Sequence, residues 1–138
     1  MSNRTFTIVK PDSVRKGNFG KIITRLESEG FRVLGVKKMA LSQRQAEGFY
    51  GVHSARPFFR DLVTYMTSGP VYVAALERDG AVAHLRNIMG ATDPKKADAG
   101  TIRAEFGESI EQNAIHGSDS DDNAKNEIAF FFAESELM

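Results

Sequence analysis

A chain of 138 residues has room for one domain, residues 1–138, and too little length for two that fold independently. With 41% apolar and 26% charged residues its composition excludes collagen, coiled coil and wholesale disorder, and the absence of cysteine excludes disulfides and thiolate chemistry. The 18 basic and 18 acidic residues cancel, unlike the cationic surplus of a general nucleic-acid binder, yet residues 1–69 hold 12 basic and 5 acidic residues and residues 70–138 hold 6 and 13. Either one half supplies cations to an anionic ligand, or the halves present complementary solvated faces.

Met1 through Lys10 lacks the apolar run and cleavage site of a signal peptide. Within it, Thr5 to Val9 is β-branched and aromatic and is stopped by Pro11, which predicts a strand with Lys10 at its carboxyl end. From Asn18 to Gly30, the positions of Phe19, Ile22, Ile23 and Leu26 predict an amphipathic helix that Gly30 stops. Phe31 to Leu41, rich in Val and Leu, predicts a strand. Ser42 and Gln45 match a capping box and open a helix in which Ala46, Phe49, Tyr50 and His53 share a face. Pro57 suits the first turn of another, carrying Phe59, Leu62, Val63 and Met66, until Ser68, Gly69 and Pro70 break it.

Val71 to Leu76 is a nearly continuous apolar run, the pattern of a central strand covered on both faces. A helix from Asp79 and Gly80 to Gly90 turns Ala81, Leu85, Ile88 and Met89 inward, and the aperiodic stretch Gly90 to Gly100 predicts a long surface loop of the kind that carries function. After a short helix from Thr101 to Phe106, stopped by Gly107, the last helix is capped by Ser120 and carries Ala124, Glu127, Ile128 and Phe131 on one stripe. No apolar stretch approaches the roughly 20 residues of a membrane span, so a soluble, cytoplasmic protein is expected. The alternation of strands with helices favours an α+β fold, a small antiparallel sheet with helices on one side, and within that class a ferredoxin-like βαββαβ core.

Glu127 is the anomaly of the last helix, a carboxylate on an apolar stripe, where burial without a partner costs several kcal/mol or raises its pKa. His116 lies just before that helix. Paired, the carboxylate would fix the imidazole tautomer and leave the other nitrogen free as a nucleophile or base; unpaired, Glu127 would reach out to water. Gly117 would let a backbone approach a ligand, and Ser118 adds a hydroxyl. His53 and His84 lack partners at metal-ligand spacing. A Walker loop is excluded, since Gly20-Lys21 has Arg15 where the first Gly belongs and Ile22 where the hydroxyl belongs. Asp119, Asp121 and Asn123 imitate a calcium loop, but Ala124 replaces its glycine and Phe130 its closing Glu. What remain are scattered candidates for phosphate, Lys10, Arg86, Arg103 and Thr92.

The segment Asn113 to Ser120 (NAIHGSDS) resembles the active-site signature of nucleoside diphosphate kinases. VKPD at Val9 to Asp12, FYGVH at Phe49 to His53, RPFF at Arg56 to Phe59, SGPV at Ser68 to Val71, GATDP at Gly90 to Pro94 and GTIR at Gly100 to Arg103 resemble that family's motifs in the same order. Two departures stand out, Ser13 where the family usually has Ala or Gly, and a chain without the C-terminal extension of eukaryotic members. The resemblance implies that His116 is a nucleophile phosphorylated in turnover, supported by Glu127 and Ser118. It further implies that Lys10, Tyr50, Arg86, Thr92, Arg103 and Asn113 hold phosphates and ribose, and that Phe58 stacks on the base opposite Ile110. Lys10 and Tyr50 stand with the catalytic group. Magnesium would be held mainly by nucleotide phosphates and water, with no protein metal cage. The partners implied are nucleoside triphosphates and diphosphates and further copies of the chain, a dimer or tetramer built on dimers before a hexamer, with no membrane and no specific nucleic acid. The expected reaction is ping-pong transfer of a γ-phosphoryl group; the alternative is a nucleotide-binding regulatory protein without turnover.

Overall fold

Strand β1, Arg4–Val9, sets the plan of the molecule because both of its faces are buried. The computed structural model describes residues 3–138, so the first two residues of the stretch Met1 to Lys10 lie outside it. Alternation along β1 sends Phe6 and Ile8 to one side and Thr5, Thr7 and Val9 to the other. Strand β2 is Arg32–Met39, β3 is Val71–Glu77 and β4 is Ile115–Gly117. They form one sheet in the order β2-β3-β1-β4, with every neighbouring pair antiparallel. This is the expected ferredoxin-like order, with β1 and β3 inside.

The helices are α1 (Pro11–Arg15), α2 (Phe19–Ser28), α3 (Gln43–Phe49), α4 (Phe59–Met66), α5 (Ala81–Met89), α6 (Ile102–Phe106) and α7 (Asp121–Phe131). They occupy both faces of the sheet, which corrects the expectation of helices on one side. Ile22 and Leu26 of α2 and Leu85 and Met89 of α5 pack on Val9, Ala74, Leu76 and Ile115. Ala46 of α3, Val63 and Met66 of α4, and Ile128 and Phe131 of α7 pack on Phe6, Ile8, Val73 and Ala75. The physical reason lies in the central strands, whose apolar residues fall on both parities and leave no face that water could cover.

Local signals account for most boundaries. Both bonds of the Ser42–Gln45 capping box form, and Thr101 and Ser120 accept from the backbone N–H three residues on. Gly30, at φ +90°, follows α2 in the left-handed conformation that ends helices. The structure departs from expectation in places, and Pro57 lies before α4 instead of in its first turn. Pro11 does more than stop a strand, since it opens α1, where a missing N–H costs nothing. The second strand ends at Met39 and carries an irregularity between Val33 and Gly35. Helix α3 ends at Phe49, so His53 sits in a separate 3₁₀ turn, Gly51–His53. Strand β4 has three residues, too few to show a period.

Candidate active site

Pairing of β4 with β1 puts His116 opposite Ile8. Alternation then turns Ile115 and Gly117 toward α5 and His116 toward α7, where its ring meets those of Phe6, Phe49 and Tyr50 at centroid distances of 6.3, 5.6 and 6.5 Å. A Cβ on Gly117 would lie 2.5 Å from Met89 Sδ and 3.0 Å from Leu85 Cδ2. The space on the Cβ side of this glycine is filled by α5, while its backbone lines the cavity.

One turn and a half into α7, Glu127 reaches back to the histidine. His116 Nε2 lies 2.9 Å from Glu127 Oε1, and Ser118 Oγ donates to the same oxygen at 2.8 Å. A carboxylate only accepts, so Nε2 is the donor, and in the neutral ring that leaves the lone pair on Nδ1. Ser118 is fully buried beneath this pair.

Three cations converge near it. Lys10, just past β1 and 8% exposed, donates from Nζ to Asn113 Oδ1 at 2.7 Å, and Asn113 Nδ2 donates to the Thr92 carbonyl at 3.1 Å. Arg103, 7% exposed on α6, donates to the Ile115 carbonyl at 2.8 Å and the Gly90 carbonyl at 3.3 Å. Arg86 of α5 reaches the Gly117 carbonyl at 3.4 Å. Burial, with Arg103 beside it, lowers the Lys10 amine to about 8, although Asp12 and Glu111 oppose the shift. Burial and Arg86 lower Arg103 to about 10. Buried cations that each feel a neighbouring cation favour an incoming anion. Two polar atoms also await a partner, since the buried Tyr50 hydroxyl and Arg103 Nε have none among the described residues. Burial above all, with the charge of Glu127, pushes the Tyr50 phenol up and keeps it a donor.

One cavity of about 1010 Å³ gathers Lys10, Tyr50, Phe58, Arg86, Thr92, Arg103, Ile110, Asn113, His116 and Glu127. Every site residue expected from the sequence thus lines it except Ser118. Phe58 and Ile110 leave 48% and 62% of their surfaces exposed on its wall. The sequence reading missed His53, Asp61, Asp119 and Phe130, which also line it. His53 was set aside for want of a metal partner, yet its ring lies 5.7 Å from that of Phe58. Asp119 had figured only in the rejected calcium loop; a bond from Asn123, and then the charge of Arg86, hold its carboxyl below the usual range. His84 is elsewhere, 3.1 Å from Glu29. Among the described residues, no three His, Cys, Asp or Glu side chains are grouped to hold a metal ion.

The family model for nucleoside diphosphate kinase matches residues 3–137. The enzyme of that name from Campylobacter hominis is 61% identical over 134 residues, 97% of this chain and 98% of that protein. The Aquifex aeolicus nucleoside diphosphate kinase structure superposes with a TM-score of 0.97 at 43% identity, covering 100% of both chains. The Halobacterium salinarum enzyme, solved in complex with CDP, gives 0.95 at 43% identity over 100% of this chain and 92% of its own. With sequence, fold and a cation-lined cavity around a carboxylate-held histidine in agreement, the chain belongs to the nucleoside diphosphate kinase family.

Proposed function

We propose that this chain carries out its family's reaction, transfer of the γ-phosphoryl group from a nucleoside triphosphate to a nucleoside diphosphate, in two displacements at His116. The observation that carries the residue roles is the convergence of Lys10, Arg86 and Arg103 on the cavity that holds the His116–Glu127 pair. In the first displacement His116 Nδ1 forms a bond to the γ-phosphorus as the bond from phosphorus to the bridging oxygen breaks, and the electron pair leaves on the nucleoside diphosphate. Glu127 balances the positive charge that grows on the ring, and Ser118 fixes the carboxylate. The cations, with the Tyr50 hydroxyl, stabilise charge on the transferring and leaving oxygens, which is where phosphoryl transfer needs help. An acceptor diphosphate then reverses the step. Thr92 and Asn113 order the phosphate end, and Phe58 and Ile110 sandwich the base.

The acids on the cavity wall are dispersed, and Glu127 is engaged by His116. A divalent ion, magnesium, would thus arrive on the nucleotide phosphates and neutralise their charge there. The intact His116–Glu127 pair disfavours a regulatory protein without turnover. Residues 1–138 act as one unit in a dimer-based assembly, a dimer or tetramer before a hexamer, in the cytoplasm. Among the described residues no helix is long and apolar enough to cross a membrane. The roles are tested with ATP labelled at the γ position, followed by peptide mapping. Acid-labile label on His116, absent from His116→Ala, is the expected result; label elsewhere overturns the mechanism. Light scattering at micromolar protein tests the assembly, and a stable monomer contradicts it.

A further inference from the structure

Two residues before the histidine, the backbone makes a turn that an alanine does not choose. Ala114 is fully buried at φ +75°, alone among the described non-glycine residues in having positive φ. The Ile115 N–H donates to the Asn113 carbonyl at 2.9 Å across it, which makes a γ-turn of the rare, strained hand. Such a conformation persists only where the surroundings over-determine it. Here they do. Ala114 N–H donates to Asp12 Oδ2 at 3.1 Å, and the Ala114 carbonyl accepts from the Lys10 N–H at 2.9 Å. Asp12, 1% exposed, is itself gripped by Tyr65 of α4, whose hydroxyl accepts from the Asp12 N–H at 2.9 Å and donates to Asp12 Oδ1.

We propose that Asp12, braced by Tyr65, is a positioning residue for phosphoryl transfer. It clamps the Ala114 turn and through it sets where Asn113, Lys10 and His116 stand. The inference rests on His116 as the nucleophile. Neither Asp12 nor Tyr65 lines the cavity, so both act through the turn. A misplacement of about 1 Å at a reacting centre costs on the order of a hundredfold in rate.

The test uses Asp12→Ala, Asp12→Asn and Tyr65→Phe, each alone and with Ala114→Gly. Asp12→Ala lowers kcat on the order of tenfold to a hundredfold, more than it changes KM for ATP. Asn, which can still accept from Ala114 N–H, loses less, and Tyr65→Phe least. Glycine takes positive φ without the Cβ penalty, so Ala114→Gly restores several-fold of the kcat lost by Asp12→Ala. A second readout is the alkaline limb of kcat/KM. Lys10 faces Arg103, Asp12 and Glu111, and removing the Asp12 charge in Asp12→Asn moves that limb to lower pH. A purely structural role lowers the melting temperature and leaves kcat per phosphorylatable site in place. Where Asp12→Ala fails to fold, Asp12→Asn and Tyr65→Phe decide. Label on His116 in the wild type with native kcat in folded Asp12→Ala, or, where that variant does not fold, in both Asp12→Asn and Tyr65→Phe, overturns the clamp alone; label elsewhere overturns the nucleophile and the clamp with it.

Discussion

At Glu127 one oxygen, Oε1, meets both the His116 ring nitrogen and the Ser118 hydroxyl. Glu127→Gln keeps the shape and removes the charge that steadies the imidazole as it becomes cationic. We expect turnover to fall roughly tenfold to a thousandfold, with nucleotide affinity less affected; steady-state kinetics showing an unchanged kcat would reduce Glu127 to a packing role. Lys10 gives a pH signature. Its amine is lowered from 10.5 to about 8, so kcat/KM declines above that pH as the free enzyme loses the charge. Stability moves the other way. Between about 8 and 10.5 the unfolded chain binds more protons at Lys10 than the native one, so this group makes stability rise with pH over that window. Urea midpoints at two pH values below 10 should show that slope in the wild type and not in Lys10→Met. Equal slopes in both proteins would refute it.

Strand β4 and helix α5 approach so closely that Gly117 has no room for a methyl group. Gly117→Ala should cost about 1–3 kcal/mol by overpacking, and Met89→Ala in the same chain should cost less than the two changes summed. Chemical denaturation of the four proteins of that cycle measures the coupling, and strict additivity would show that β4 can shift. Elements of this kind divide by length in what their sequences reveal. Helices α2, α5 and α7 run two to three turns and repeat their apolar positions, and Ser42 and Ser120 announce their caps chemically. Three residues of β4 and five of α1 repeat nothing. The same holds in the site. Glu127 stands out because it interrupts an apolar stripe, and its partner lies 11 residues away. Asp12 and Tyr65 meet across 53 residues, with no pattern linking them. Arg86 and Arg103 look like any helix-surface cations until the chain folds; their sequence leaves them scattered candidates, to which only the family resemblance attaches a role.

Across the whole molecule, the charge asymmetry resolves into contacts. Arg4 with Glu134 at 3.1 Å, Arg32 with Glu77 at 2.5 Å and Lys37 with Glu136 at 3.0 Å each join a cation of residues 1–69 to an acid of residues 70–138. The cavity draws cations from both parts, Lys10 from the first and Arg86 and Arg103 from the second. The basic half is thus matched to the acidic half, and the ligand site belongs to neither. Helix α7 closes the core over β1, with Phe131 stacked on Phe6 at 5.4 Å. A chain ended at Ser120 should therefore show no cooperative thermal transition by circular dichroism, and a native-like melt would contradict that dependence. The order of the sheet also bears on how the protein is made. The first strand of this sheet in chain order is an inner one, whose neighbours are residues 71–77 and 115–117 and whose cover is residues 121–131. A nascent chain must hold that apolar strand unpaired until residues 71–77 are made, and without its α7 cover until residues 121–131 follow. His116 and Glu127 follow the other three strands in chain order, so a chain released before them lacks both the α7 cover of the core and the proposed phosphoryl acceptor.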